Sequence, residues 1–176
     1  GIELAALLAA AIPSREASAA RLAFNVDPIG ALARTGALPG AAEDEMAAAA
    51  SFARDAAPEF PVASMLRADS RPVHEACGTE VQEIAYLVAS GAEYVRALLT
   101  AGVGVDAACR TILFTMSVGP DYMVEMAKLR AARRMWWRVA DAFGAKDAAA
   151  GMTLQVATSR RMLSRRDPWV NILRNT

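Results

Sequence analysis

Four short runs of β-branched and large apolar side chains, at residues 22–27, 60–66, 111–116 and 152–158, set the range of folds open to this chain. Their starts lie roughly 40 to 50 residues apart, too far for hairpins and right for strand–helix–strand crossovers. Turn chemistry and a helical pattern follow each of the first three. Alternation of this kind makes a parallel sheet with helices packed against it, so the chain is expected to be α/β. Two architectures fit the order: an open doubly wound sheet and an eight-stranded (β/α)8 barrel of the TIM type. Four units amount to half of such a barrel.

The helical segments carry their own start and stop signals. Thr79 and Gln82 have the spacing of a capping box ahead of a helix over 80–99. Val81, Ile84, Ala85, Val88, Ala92, Val95 and Leu99 recur at helical spacing and are expected to face the core. A second long helix is predicted over 122–143. Met126, Leu129, Ala132, Trp136, Val139, Ala140 and Phe143 share its core face, while Arg130, Arg134 and Arg138 line another at four-residue steps. Gly144 supplies its stop. A third helix, over 41–56, has Glu43, Asp44 and Glu45 in its first turn, where acids suit the helix dipole. Trp136-Trp137 reads as one core ring and one ring at the helix flank or a subunit contact.

With 176 residues, 55% of them hydrophobic, the chain can bury the core of one domain. No apolar run approaches the ~18–20 residues of a membrane helix. The apolar opening stretch, 2–12, contains Glu3 and lacks the basic flank of a signal peptide. Cys77 and Cys109 fit no metal or redox spacing, so a cytoplasmic protein with free, mostly buried thiols is expected. Formal net charge is zero, yet residues 1–106 hold 7 basic and 14 acidic side chains and residues 107–176 hold 12 and 5. Such asymmetry suits a nucleic-acid site or two surfaces that attract each other within an assembly. The overall balance of zero speaks against nucleic acid.

The one histidine, His74, follows the second run, where sites form in α/β folds. Beside Glu75 it has the elements of an acid–base pair; bonded to backbone or a carboxylate, it is structural. The stretch Lys128-Leu129-Arg130-Ala131-Ala132-Arg133-Arg134 fits the phosphates of a nucleotide or coenzyme A, or a solvated face with acid partners on a neighbouring element. Gly102-Val103-Gly104 lacks the third glycine of a phosphate loop and follows a helix rather than a strand. No serine–histidine–aspartate set is discernible, and no catalytic residue is assigned.

Ala127-Lys128-Leu129-Arg130-Ala131-Ala132-Arg133-Arg134-Met135-Trp136 resembles the AKLRAARRLW signature of the methylmalonyl-CoA mutase family. In the family's order it is accompanied by Asp27-Pro28-Ile29-Gly30, by Val81-Gln82-Glu83-Ile84-Ala85-Tyr86, by Gly91-Ala92-Glu93-Tyr94, by Phe143-Gly144-Ala145, and by Thr158-Ser159 leading to Asp167-Pro168-Trp169-Val170-Asn171. The resemblance implies an adenosylcobalamin-dependent isomerase that interconverts methylmalonyl-CoA and succinyl-CoA. Its barrel admits acyl-CoA along the axis, and a separate domain carries the cobalamin. Many bacterial members pair a catalytic chain with a related small subunit that has lost the active site.

Several positions resemble that small subunit. Catalytic chains have YHMQEAG after the strand matching 60–66; anchored on Glu75-Ala76, their active-site histidine falls on Pro72 and their glutamine on His74. Their HCQTS stretch becomes Gln155-Val156-Ala157-Thr158-Ser159, which puts Ala157 at the active-site glutamine. The resemblance leaves His74, Glu75, Thr158 and Ser159 as substrate-side candidates, and Arg130, Arg134 and Arg138 as interface or phosphate candidates. It implies a partial barrel domain over 1–176 without the cobalamin-binding domain, whose Asp-x-His-x-x-Gly loop has no match here. The expected partner is a homologous catalytic subunit in a heterodimer, with no nucleic acid or membrane, no cofactor in this chain, and adenosylcobalamin in the complete enzyme. Two other readings stay open: the substrate-binding part of an active acyl-CoA mutase of altered specificity, and an independent phosphate-ligand enzyme built on the basic helix.

Overall fold

Each of the four runs becomes a strand in the computed structural model, which describes residues 1–146 and 150–175. The strands are β1 Ala23–Val26, β2 Ser64–Asp69, β3 Ile112–Val118 and β4 Thr153–Thr158. All pairings are parallel, in the order β1-β2-β3-β4. The α/β class with a parallel sheet is as expected. The second strand starts four residues later than its run, because Pro61 has no N–H to give a ladder and Phe60 is used elsewhere. Its ring is buried edge-on against Phe24, centroids 5.2 Å apart.

The helices are α1 Ile2–Ala11, α2 Ser14–Ala17, α3 Pro28–Thr35, α4 Ala42–Ala56, α5 Arg71–Glu75, α6 Glu80–Thr100, α7 Val105–Arg110, α8 Tyr122–Ala142 and α9 Pro168–Asn175, with a 3-10 turn at Arg160–Met162. Helix α6 packs on α4 to one side, on α8 to the other, and on β2 and β3 beneath it. The three long helices therefore form one layer on one face of the sheet. The strand order never reverses, as it does in a doubly wound sheet at its switch point. Among the described residues the sheet is open at β1 and β4.

Strand alternation sorts the side chains into two faces. Leu66, Ala68, Ile112, Phe114 and Met116 lie under the helices and are buried. Phe114 meets Trp136 of α8 with ring centroids 4.5 Å apart. The opposite face carries Arg67, Asp69, Thr115, Ser117, Gln155 and Ala157, and Thr115 Oγ1 donates to Gln155 Oε1 at 3.4 Å.

The capping box of α6 is present as expected, with Thr79 and Gln82 exchanging bonds. Its buried face is rotated from the expected stripe, of which Val88 and Val95 are buried. Val81 is 76% exposed and Ala85 is exposed, while Glu83, Leu87, Ser90, Gly91, Tyr94 and Leu98 point inward. The helix rolls because Glu83 and Tyr94 find polar partners inside. On α8 the expected division holds: Trp136 is fully buried and Trp137 is 37% exposed. Cys109 is buried but Cys77 is exposed, so only one thiol is where composition put both.

Candidate functional site

Two polar clusters form where the strands end. The first joins β1 and β2. Asp27 caps α3: its Oδ1 accepts from Gly30 N at 2.8 Å and from the Tyr94 hydroxyl at 2.6 Å. Asp69, at the end of β2, is 1% exposed and held by three arginines. Arg71 reaches it at 2.6 Å, Arg34 at 3.2 Å and Arg67 at 3.4 Å. The two carboxyls respond oppositely. Burial pushes Asp27 above the ordinary 3.8, more than its bonds to Tyr94 and Gly30 and the nearby Arg34 pull it down. Burial acts on Asp69 in the same sense, but the hydrogen bonds and charge of Arg71 reverse it and leave the group below 3.8. Burial and the adjoining Asp27 push the Tyr94 phenol up, so it stays a donor.

The second cluster ties α5, α6, α8 and the end of β4 together. His74 lies in the short α5, whose first turn takes Pro72 without loss. Its Nδ1 is 2.6 Å from Glu83 Oε1, and its Nε2 is 2.6 Å from Ser159 Oγ. Ser159 Oγ also accepts from Arg161 N at 3.2 Å. The other oxygen of Glu83 lies 3.4 Å from Lys128 Nζ. Lys128 donates to Ser117 O at 2.8 Å and ion-pairs with Glu125 Oε2 at 2.6 Å. Glu125 Oε1 in turn accepts from Gly119 N at 2.7 Å. Arg161 closes the set by donating to His74 O at 3.2 Å.

Two of the four substrate-side candidates, His74 and Ser159, are thus in contact. Glu75 and Thr158 are exposed. Glu75 is not the carboxylate partner of His74: its nearest cation is Arg160, 3.7 Å away, since adjacent helical residues do not face each other. Reading the sequence missed Glu83, Lys128 and Glu125 as members of the cluster. The available signal was an acid standing four residues before Leu87 in an otherwise apolar spacing. Lys128, read as part of a phosphate-binding or solvated stretch, is 3% exposed. Arg130, Arg134 and Arg138 are exposed on α8 and make no ion pair among the described residues.

Serine, histidine and glutamate here stand in the order of a nucleophilic triad. Ser159 is 2% and His74 5% exposed. What the arrangement does is balance buried charge: one lysine sits between two glutamates, and the imidazole fills the remaining carboxylate position. Both nitrogens of the only histidine are engaged, so the described residues offer a cobalt ion no free imidazole. Nor do they hold any group of three or more His, Cys, Asp or Glu able to bind a metal. An open cleft of about 850 Å³ lies at the ends of β3 and β4, with Met126, Leu129, Arg130, Arg133 and Val156 in its wall. None of the described helices is long and apolar enough to cross a membrane.

The class defined by this fold is a parallel α/β chain whose polar side chains gather at the carboxyl ends of sequential strands. The chain belongs to the methylmalonyl-CoA mutase family, whose model, described as methylmalonyl-CoA mutase, matches residues 1–176. It is 40% identical over 158 residues to a methylmalonyl-CoA mutase small subunit of Streptomyces virginiae, an overlap of 90% of this chain and 25% of that protein. With the small subunit of Propionibacterium freudenreichii subsp. shermanii it shares 34% over 155 residues, 88% of this chain and 24% of the relative. A methylmalonyl-CoA mutase of Rhizobium meliloti is 35% identical over 133 residues, 75% of this chain and 19% of that protein. The chain spans about a quarter of the length of the two small subunits.

Proposed function

We propose that this chain is a barrel segment of a small, non-catalytic mutase subunit, which forms and stabilises a cytoplasmic heterodimer with a homologous catalytic chain. The complex is an adenosylcobalamin-dependent isomerase that interconverts methylmalonyl-CoA and succinyl-CoA, with the cobalamin and the reacting acyl group handled by the partner. The observation that carries this reading is the use made of His74. The one imidazole of the chain is spent on a buried clamp between Glu83 and Ser159. At the two positions that the resemblance assigns to the catalytic histidine and glutamine stand Pro72 and Ala157, whose side chains have no hydrogen-bonding group.

In this role the clamp holds the loops after β2 and β4 against α6 and α8, so that the carboxyl ends of the strands keep one geometry. The test is His74→Gln in the full-length subunit, co-purified with its catalytic partner. Expected are an unchanged kcat and KM for methylmalonyl-CoA and a lower melting temperature, because a buried hydrogen-bonded group is lost at about 1–3 kcal/mol. A fall in kcat with assembly and melting intact would instead make this an active mutase chain of altered specificity.

A further inference from the structure

We propose that Arg34 is a proton-controlled latch: it rests on Asp69 while Asp27 is protonated, and moves onto Asp27 when that carboxyl ionises. Arg34 stands in the last turn of α3, between two buried carboxyls. Its Nη1 donates to Asp69 Oδ2 at 3.2 Å, while its Nη2 is 3.7 Å from Asp27 Oδ2, too far for a hydrogen bond. Asp27 Oδ1 accepts from Gly30 N and from the Tyr94 hydroxyl. Oδ2 is buried and has no hydrogen-bond partner among the described residues. The Asp27 side chain is 3% exposed, so the chain itself encloses this oxygen, and the cation standing over it is Arg34. A charged oxygen left in that state is costly, and protonation removes the charge.

The groups around Asp27 leave Arg34 as the one that can follow its charge. Helix α6 presents the phenols of Tyr94 and Tyr86, both pushed up by burial and by Asp27 itself. Strand β2 presents Asp69, whose charge opposes ionisation of Asp27, and Arg67, which is bound to Asn25 and Asp69. Helix α5 presents Arg71, committed to Asp69 through N, Nε and Nη2. From α4 the half-buried Glu45 shares a cleft with Asp27 and Arg34, and Glu3 of α1 is exposed. Asp69 keeps Arg67 and the three donors of Arg71 when Arg34 leaves. The Arg34 side chain is 39% exposed, and a shift of its guanidinium toward Asp27 supplies the donor that Oδ2 lacks.

The sign of the response follows from burial. Burial holds Asp27 above its ordinary 3.8 although Arg34 draws it down. Its ionised form is therefore the less stable one, and α3 loosens as pH rises through the folded value. The latch limits that loosening, because the guanidinium follows the charge.

The test is hydrogen exchange by mass spectrometry on the full-length subunit, read over residues 28–38 between about pH 4 and 8 and corrected for the intrinsic pH dependence of exchange. Wild type is compared with Arg34→Gln, with Asp27→Asn and with the double variant. Protection of this segment is expected to fall slightly with pH in the wild type. Arg34→Gln should deepen the fall by about tenfold, the worth of one pKa unit. Asp27→Asn keeps the capping oxygen and cannot ionise, so its protection should not vary with pH, and Arg34→Gln should add no pH dependence to it. An effect of Arg34→Gln that is equal at every pH would overturn the proposal and leave Arg34 a fixed partner of Asp69. No effect at any pH would overturn it too, leaving a solvated arginine. If Asp27→Asn loses protection already at the acid end, its cap is damaged, and the slopes of wild type and Arg34→Gln decide by themselves.

Discussion

Gly30 stands where no other residue fits. A Cβ there would lie 1.9 Å from Asp27 Oδ2, so the carboxylate that caps α3 occupies the space a side chain needs. Inside a helix, glycine to alanine ordinarily stabilises by roughly 1 kcal/mol. Gly30→Ala is expected to do the reverse and cost about 1–3 kcal/mol, read as a lower urea midpoint for the full-length subunit. Lys128 is the other sensitive residue. Replacing it with methionine leaves Glu83 and Glu125 buried without their cation, and a loss of about 3–5 kcal/mol is expected by the same measurement.

The two aspartates add a pH signature with opposite signs. Asp69 titrates below its ordinary 3.8 in the folded chain, so its stabilisation is present above 3.8 and disappears as pH falls through the depressed folded value. Asp27 is raised, so its ionisation opposes folding as pH climbs from 3.8 through the folded value and on to neutrality. Asp69→Asn should therefore flatten the acid limb of a stability–pH curve, and Asp27→Asn should steepen it. Curves from chemical denaturation between about pH 3 and 7 check both at once; the same slope change in both variants would contradict the assignment.

At the scale of elements, α6 organises the molecule. It touches α4, α8, β2 and β3, and it comes close to Phe114 and Trp136 at Gly91. A Cβ at that position would come 2.7 Å from Phe114 and 2.8 Å from Trp136. Gly91→Ala should push α6 away from α8, lower stability by about 1–3 kcal/mol, and weaken the near-ultraviolet signal of the buried Trp136. The ends of this helix were legible because a capping box is a local pattern, with Thr79 and Gln82 three residues apart. Its inward face was legible only in part, at Val88 and Val95. Seen alone, Val81 and Ala85 continue an apolar stripe, yet the helix turns Glu83 and Tyr94 inward because His74, Lys128 and Asp27 wait for them there. Those partners lie 9, 45 and 67 residues away in sequence, the first on another helix and the other two far outside any periodicity window.

For the whole molecule, the dominant fact is an open sheet. Both edges, β1 and β4, carry unpaired backbone groups, an invitation to association. Apolar side chains stand uncovered near the ends of the described chain: Leu4 is 70% exposed, Leu7 68%, Trp169 77% and Leu173 78%. Residues 1–176 produced by themselves are expected to aggregate or to melt without cooperativity, as light scattering and calorimetry would show. A monodisperse, cooperatively melting monomer would argue for a self-sufficient open sheet. The small-subunit relatives are about four times as long as this chain.

What the sequence by itself determined is the four strands, the three long helices and their order. Strand runs separated by crossover-length helices leave a parallel α/β sheet as the outcome, and caps, glycine stops and apolar spacing mark the helices, because each of these signals acts within a few residues. The order of motifs likewise sufficed for the family. Only the tertiary structure decided which face of α6 is buried, that β2 begins beyond Pro61, and that His74 serves Glu83 and Ser159 rather than Glu75. It alone divided one cationic stretch into a buried lysine and an exposed arginine ridge. A charge is placed by the desolvation it suffers and the partner it meets, and both depend on segments that only folding brings together.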